Sequence, residues 1–153
     1  MILLANNNFI WINIYGLLFI AIIMIPNIIF AIKCKDGFIN KYNNKTIETL
    51  EQIGRFGSFI FMIINIKYLS FGFISETAFS IYIIINSILI LSYCSIWAIC
   101  FKQNSIFRSL SLAIIPSIVF IFSGILTRSI ILLIFAIIFA PCHILISYKN
   151  AKE

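Results

Sequence analysis

The sequence predicts an all-α fold: a polytopic membrane helix bundle of five transmembrane helices, N-terminus outside and C-terminus cytoplasmic. Three observations predict it. Mean hydropathy is +1.10, and 62% of the 153 residues are hydrophobic against 10% charged. A soluble domain of this size has too much surface for its volume to hide so much apolar area. Four apolar runs reach or approach the roughly 20 residues that a helix needs to cross the hydrocarbon core. The basic residues gather in alternate loops, as insertion imposes on cytoplasmic segments.

The first run, Ile10–Ile32, is longer than the ~7–15-residue apolar region of a signal peptide, and no basic residue precedes it. It reads as a permanent span. Ala78–Ile99, Leu110–Leu126 and Ile130–Tyr148 are the other long runs. Between them lies a shorter one, Phe56–Ile66, flanked by Arg55 and Lys67. Alone it measures roughly 16 Å. Extended to Arg55–Phe71, with both basic heads reaching for the interfaces, it measures roughly 25 Å and crosses a slightly thinned bilayer.

Loop charge decides the number of spans. With five, one side carries Lys33, Lys35, Lys41, Lys45, Arg55, Lys102, Arg108, Lys149 and Lys152, and the other only Lys67 and Arg128. With four, the asymmetry shrinks, because Lys67 and Arg128 join the first five while the last four change sides. The expected organisation is a single domain over 1–153, with spans near 10–32, 55–71, 78–99, 110–126 and 130–148 and a cytoplasmic loop at 33–54. Trp11, Tyr68 and Tyr82 fall near the outer interface and Trp97 and Tyr148 near the inner one, where amphipathic rings favour the headgroup level.

The loop carries two turn signals, Asp36-Gly37 and Asn43-Asn44. Helix restarts near Thr46 as N-cap, with Glu48 and Glu51 close to the positive dipole end. Ile47, Leu50 and Gly54 share one face; Glu48, Glu51 and Arg55 share the other. Glu51 and Arg55 form an i,i+4 acid-to-base pair in the favoured order. At a membrane boundary such a pair spares Arg55 an unpaired desolvation.

Small residues recur at helical spacing: Gly54 and Ser58 in the second span, Ser109, Ala113, Ser117 and Gly124 in the fourth, Ala136 and Ala140 in the fifth. In lipid such residues let helix backbones approach, so these faces are expected to be packing seams. Pro26, Pro116 and Pro141 interrupt spans, each removing one helical hydrogen bond.

Asn13, Asn27, Asn65, Asn86, Ser123 and His143 lie within spans or at their edges and must face protein, since an unpaired polar group facing lipid is costly. His143 is the only histidine. It shares an inner-leaflet depth with Glu51 and Arg55 on this topology. Glu48, Glu51, Arg55 and His143 are therefore the candidate binding cluster.

No catalytic residue is assigned: HExxH, GxSxG, Walker loop and paired acids are all missing from the sequence. The four cysteines, Cys34, Cys94, Cys100 and Cys142, have no zinc spacing, so no metal and no cofactor is expected. They fall on the reducing side and read as free thiols. The net charge of +6 comes from loop lysines and arginines rather than a basic domain, so nucleic acid is not an expected partner.

Two stretches carry a resemblance. One is Glu48–Ile66, with Glu51, Gly54, Arg55, Gly57 and Asn65. The other is Ile115–Asn150, with Pro116-Ser117, Ser123-Gly124-Ile125-Leu126, Arg128, His143-Ile144 and Ser147-Tyr148-Lys149-Asn150. Together they resemble a group of small, uncharacterised multi-pass membrane proteins of low-GC Gram-positive bacteria. Cys142 stands where that group has a Gly before the histidine. The resemblance implies a bacterial plasma-membrane location and a multi-pass architecture, and no chemistry.

The expected role is a non-enzymatic accessory, regulatory or immunity-type membrane module. Its expected partners are membrane lipid and another membrane protein or a second copy of the chain. The alternatives are a small transporter or lipid-handling protein with an inner-leaflet polar cavity, and a membrane-embedded enzyme using His143.

Overall fold

In the computed structural model, residues 10–34, 42–103 and 105–152 are described. Five helices follow one another: α1 (Ile14–Lys33), α2 (Lys45–Ile63), α3 (Glu76–Ile99), α4 (Ile106–Leu126) and α5 (Ile130–Lys152). Four of them, α1, α3, α4 and α5, are long and apolar enough to cross a membrane.

Each helix opens on an Asn or Ser that satisfies one of its orphan N–H groups. Asn13 accepts from Gly16 N (3.1 Å), Asn44 from Ile47 N (3.2 Å) and Ser75 from Ala78 N (3.1 Å). Ser105 accepts from Arg108 N (3.2 Å), and Ser129, just before α5, from Leu132 N (3.4 Å). The cap of α2 is thus Asn44 rather than Thr46. Glu48 does sit in its first turn, where a carboxylate suits the dipole.

The helices form a closed ring. α1 packs on α2 and α3, α3 on α4, α4 on α5, and α5 returns to α2; a lighter α2–α4 contact crosses the middle. The α2–α5 and α4–α5 seams are the most extensive. At one end the chain before α1 pairs with the chain after α2: Asn13 N donates to Ile63 O (2.7 Å) and Asn65 N to Trp11 O (2.8 Å). At that end the 64–75 connection also lies along the α4–α5 turn. Ile130 N donates to Leu69 O (2.9 Å), and Ser70 Oγ meets Ser129 Oγ at 3.2 Å. At the opposite end Tyr42 N donates to Asn150 Oδ1 (3.0 Å).

The second helix corrects the boundaries read from sequence. It occupies Lys45–Ile63, not Arg55–Phe71, so half of the expected 33–54 loop is helical. Its 19 residues measure about 28 Å and run the length of the bundle. Arg55 falls at mid-helix rather than at an end. The Asp36-Gly37 turn, Lys35 and Lys41 lie outside the described residues.

Two rings expected at headgroup level are in the core instead. Tyr82 is 0% exposed, packed on Phe19 and Phe73, and Trp97 is buried against Phe30. Each fills space between α1 and α3. Trp11 and Tyr68 are exposed, and Tyr148 is exposed near the end of α5.

The bundle has an apolar core, with Phe120, Met62, Leu132 and Val119 among its most buried side chains, and it differs from a soluble protein at its surface. Its most enclosed side chains also include Asn86, Ser58, Ser123 and Ser129, while its outer surface is studded with Ile, Leu and Phe. In water the many exposed Ile, Leu and Phe side chains would be unfavourable. In lipid they are expected.

Candidate functional site

The site grows out of the α2–α5 seam. Gly54 lies on Phe139: a Cβ there would sit 2.7 Å from the Cα and N of Phe139. One turn further, Gly57 lies on the ring of Phe135, which stacks on Phe61 at 5.3 Å. The absent side chains let the two backbones close up. One turn before Gly54, that closeness brings the Glu51 carboxyl to α5.

Glu51 is 2% exposed. Arg55 donates to its Oε1 through both Nε (3.0 Å) and Nη2, and His143 Nδ1 lies 2.8 Å from the same oxygen. An ionised carboxylate only accepts, so the imidazole proton on that side is on Nδ1. The His143 ring stacks on Phe139 (4.5 Å, 21°), which fixes its plane. Arg55 is the outermost member, with its side chain 36% exposed, and it lies within electrostatic reach of Tyr93 on α3.

Three of the four residues singled out from sequence therefore meet: Glu51, Arg55 and His143. A shared depth was the expectation from sequence; the contact itself joins residues 92 apart in the chain. Glu48 lies one turn nearer the start of α2, half-buried and with contacts of its own. The expected faces of α2 also change: Glu51 and Gly54 both point into the bundle, while Leu50, Ile53, Phe56 and Ile60 point out.

The small residues take the following places. Gly54, Ser58, Ala113, Ser117, Gly124, Ala136 and Ala140 are buried, and Ser109 is half-buried near the start of α4. Ser117 Oγ donates back to Ala113 O (2.8 Å), and the missing side chain of Gly124 leaves room for Leu133.

The asparagines and Ser123 singled out from the sequence find partners, whereas Ser58 Oγ and Trp97 Nε1 are buried without one among the described residues. Asn13 Nδ2 donates to the Tyr82 hydroxyl (3.2 Å), and Asn86 Nδ2 to Ser123 Oγ (3.2 Å). The Tyr93 hydroxyl lies 2.8 Å from Nδ2 and 3.0 Å from Oδ1 of Asn27. Asn65 Nδ2 donates to Ile10 O (3.0 Å). The first three pairs tie α1 to α3 and α3 to α4, and the last joins the chain before α1 to the chain after α2.

Sequence reasoning missed one cation. Arg108 donates Nη1 to Cys100 O (3.2 Å) and Phe101 O (3.1 Å), beyond the end of α3. Its guanidinium stands over Phe30 (5.3 Å) and Trp97 (5.8 Å). It locks the ends of α1, α3 and α4 together. Its place just after a helix cap was the visible signal, since Arg can reach the open carbonyls of the helix before it.

Among the described residues no group of three His, Cys, Asp or Glu side chains is placed to hold a metal ion. No family model, curated protein or solved structure matches this chain.

Proposed function

We propose that the chain is a five-span integral protein of a bacterial plasma membrane, N-terminus outside and C-terminus cytoplasmic. In this reading it serves as a non-enzymatic accessory or regulatory module. The observation that carries the reading is the direction in which α2 presents its side chains. Glu51, Gly54, Gly57 and Ser58 face the bundle, and Leu50, Ile53, Phe56 and Ile60 face away. A helix lying on a membrane surface or in water would expose the charge and bury the large apolar groups. A helix solvated by lipid does the reverse.

Charge at the two ends supports the orientation. Among the described residues, Lys33, Lys45, Lys102, Arg108, Lys149 and Lys152 stand at one end and only Lys67 and Arg128 at the other. The basic end is the cytoplasmic one. The non-enzymatic role rests on how the one histidine is used. His143 spends Nδ1 on Glu51 and its ring face on Phe139, so it joins two helices. Because Glu51 is buried, a partner protein would dock on the apolar ridge of α2 rather than on its acids.

Tags inserted near Ser75 and after Lys152 test the topology, each read with membrane-impermeant reagents on intact cells. The Ser75 tag is expected outside and the Lys152 tag inside; both on the cytosolic side would remove the fifth span. Native mass spectrometry from mild detergent tests the module. A stoichiometric second protein or second copy is expected, and a bare monomer in every detergent would overturn it.

A further inference from the structure

Gln52 stands apart from the other helical amides. Asn27 is paired with Tyr93, Asn86 with Ser123, and Asn150 accepts from Tyr42 N. Gln52 is exposed on the outward side of α2, and its amide makes no hydrogen bond among the described residues. The exposed hydroxyls on the bundle's outer surface are provided for differently. Thr49, Ser80, Ser92 and Ser95 each donate to the carbonyl one turn earlier in their own helix. Gln52 has no such partner.

Its depth makes that vacancy costly. Gln52 lies about 10 Å along the axis from Lys45, the first residue of α2. Around it on the same side stand Ile53 (48% exposed), Phe56 (57%) and Ile60 (47%). An amide facing hydrocarbon with neither its N–H groups nor its oxygen bonded is strongly disfavoured. This depth rests on the reading of α2 as a membrane-crossing helix.

The amide also selects what covers it. It carries donor and acceptor together, so it pairs with its own image through two reciprocal N–H···O bonds. Copies inserted in one orientation are related by a two-fold axis along the membrane normal, and that axis sets identical residues at identical depth. A different protein would need a matching polar group on its own lipid face at this height; a second copy brings one by construction. Positions 49, 52, 56 and 60 recur at the three- and four-residue spacing of a helix-pair seam. Thr49, small and one turn from Gln52, lets the two backbones approach. The two Lys45 side chains fall at the helix start, at headgroup level, where water and salt screen their repulsion.

We propose that two copies of the chain associate through the outward ridge of α2. The Gln52 amides bond to each other across the two-fold axis, and Ile53, Phe56 and Ile60 pack around them. This deepens the reading of the chain as a partner-binding module by naming the partner.

The experiment is sedimentation equilibrium of the full chain in density-matched detergent micelles. Wild type is expected to show a monomer–dimer equilibrium. Gln52→Leu suits lipid and disturbs no hydrogen bond inside the bundle. It is expected to raise the dimer Kd about tenfold, the scale of an interhelical amide pair, and to leave the unfolding midpoint of the monomer unchanged. Gln52→Asn keeps an amide and is expected to fall between the two. Ile53→Trp crowds the seam and should also weaken the dimer, whereas Ile88→Trp, on the outward face of α3, should not. Monomeric wild type at every protein concentration, a dimer that Gln52→Leu leaves unaltered, or equal effects of the two tryptophans would overturn the proposal. A different protein retained by wild type and released by Gln52→Leu, with the chain itself monomeric, would overturn self-association and leave the module reading standing. The Ser75 tag separates the remaining failures. A tag outside with no dimer sinks this inference alone; a tag inside places Gln52 in water and sinks the crossing of α2 with it.

Discussion

His143 Nδ1 meets Glu51 Oε1 at 2.8 Å across the α2–α5 seam, and this bond ties the last helix to the second. Removing one partner of a buried charged pair is far more damaging than never having had it. Glu51→Ala strands Arg55 and is expected to cost about 3–5 kcal/mol of bundle stability. His143→Ala removes one hydrogen bond and a stacked ring, and should cost about 1–3 kcal/mol. In the Glu51→Ala background the second substitution should cost much less, giving a coupling above about 1 kcal/mol. Thermal or denaturant unfolding in mild detergent reads all four proteins. Costs that add within about 0.5 kcal/mol would mean the two side chains do not act together.

The closeness of α2 and α5 makes a graded prediction. A methyl at Gly54 meets the backbone of Phe139, which cannot turn aside. A methyl at Gly57 meets only the ring of Phe135. Gly54→Ala should therefore cost about 1–3 kcal/mol by overpacking, and Gly57→Ala less. The same unfolding measurement ranks them. The reverse order would show that the Phe135–Phe61 stack, and not the backbone contact, sets the seam.

Arg108 offers a test in which charge is held constant. Lysine keeps the positive charge but loses the planar fork that reaches both Cys100 O and Phe101 O and lies over Phe30 and Trp97. Arg108→Lys is expected to lower stability by about 1–2 kcal/mol, from lost carbonyl bonds and cation–π contact. Lys33→Gln, which removes a lysine 5.9 Å from the Phe101 ring, should cost less. Equal effects would reduce the Arg108 contact to simple end-of-bundle charge.

What the sequence made legible was whatever depends on local pattern. Composition pointed to a bundle of helices apolar enough to cross a membrane, and the four long runs became α1, α3, α4 and α5 with starts displaced by up to four residues. The pairing of Glu51 with Arg55 was also local, one helical turn apart. The bounds of α2 were not legible, because hydropathy charges Lys45, Glu48, Glu51 and Arg55 at their cost in lipid. It cannot see that a histidine 92 residues later receives one of them. Tyr82 and Trp97 were misplaced for a related reason. An amphipathic ring belongs at an interface only when its polar atom needs water, and the Tyr82 hydroxyl has Asn13 instead. Arg108 was counted as a loop charge although its chemistry is that of a cap.

The buried Asn86–Ser123 pair decides whether the middle of the bundle is dry. Asn86 is 0% exposed and donates to Ser123 Oγ at 3.2 Å, joining α3 to α4. Helix–helix hydrogen bonds in membranes contribute about 0.6 kcal/mol on average and up to about 1.7. Asn86→Leu keeps the volume and removes the bond, so it should cost about 1–2 kcal/mol in a dry core, because Ser123 loses its partner. Ser123→Ala made on top of it should then cost less than it does alone, since the hydroxyl it removes already lacks Asn86 and keeps only its contact with Tyr82. A hydrated core would behave differently. Water would take the place of the amide, Asn86→Leu would be close to neutral, and hydrogen exchange at the centre of α3 would be fast. Slow exchange together with a non-additive pair of substitutions would place the bundle among packed helical modules, and the opposite pair of results among water-filled pathways.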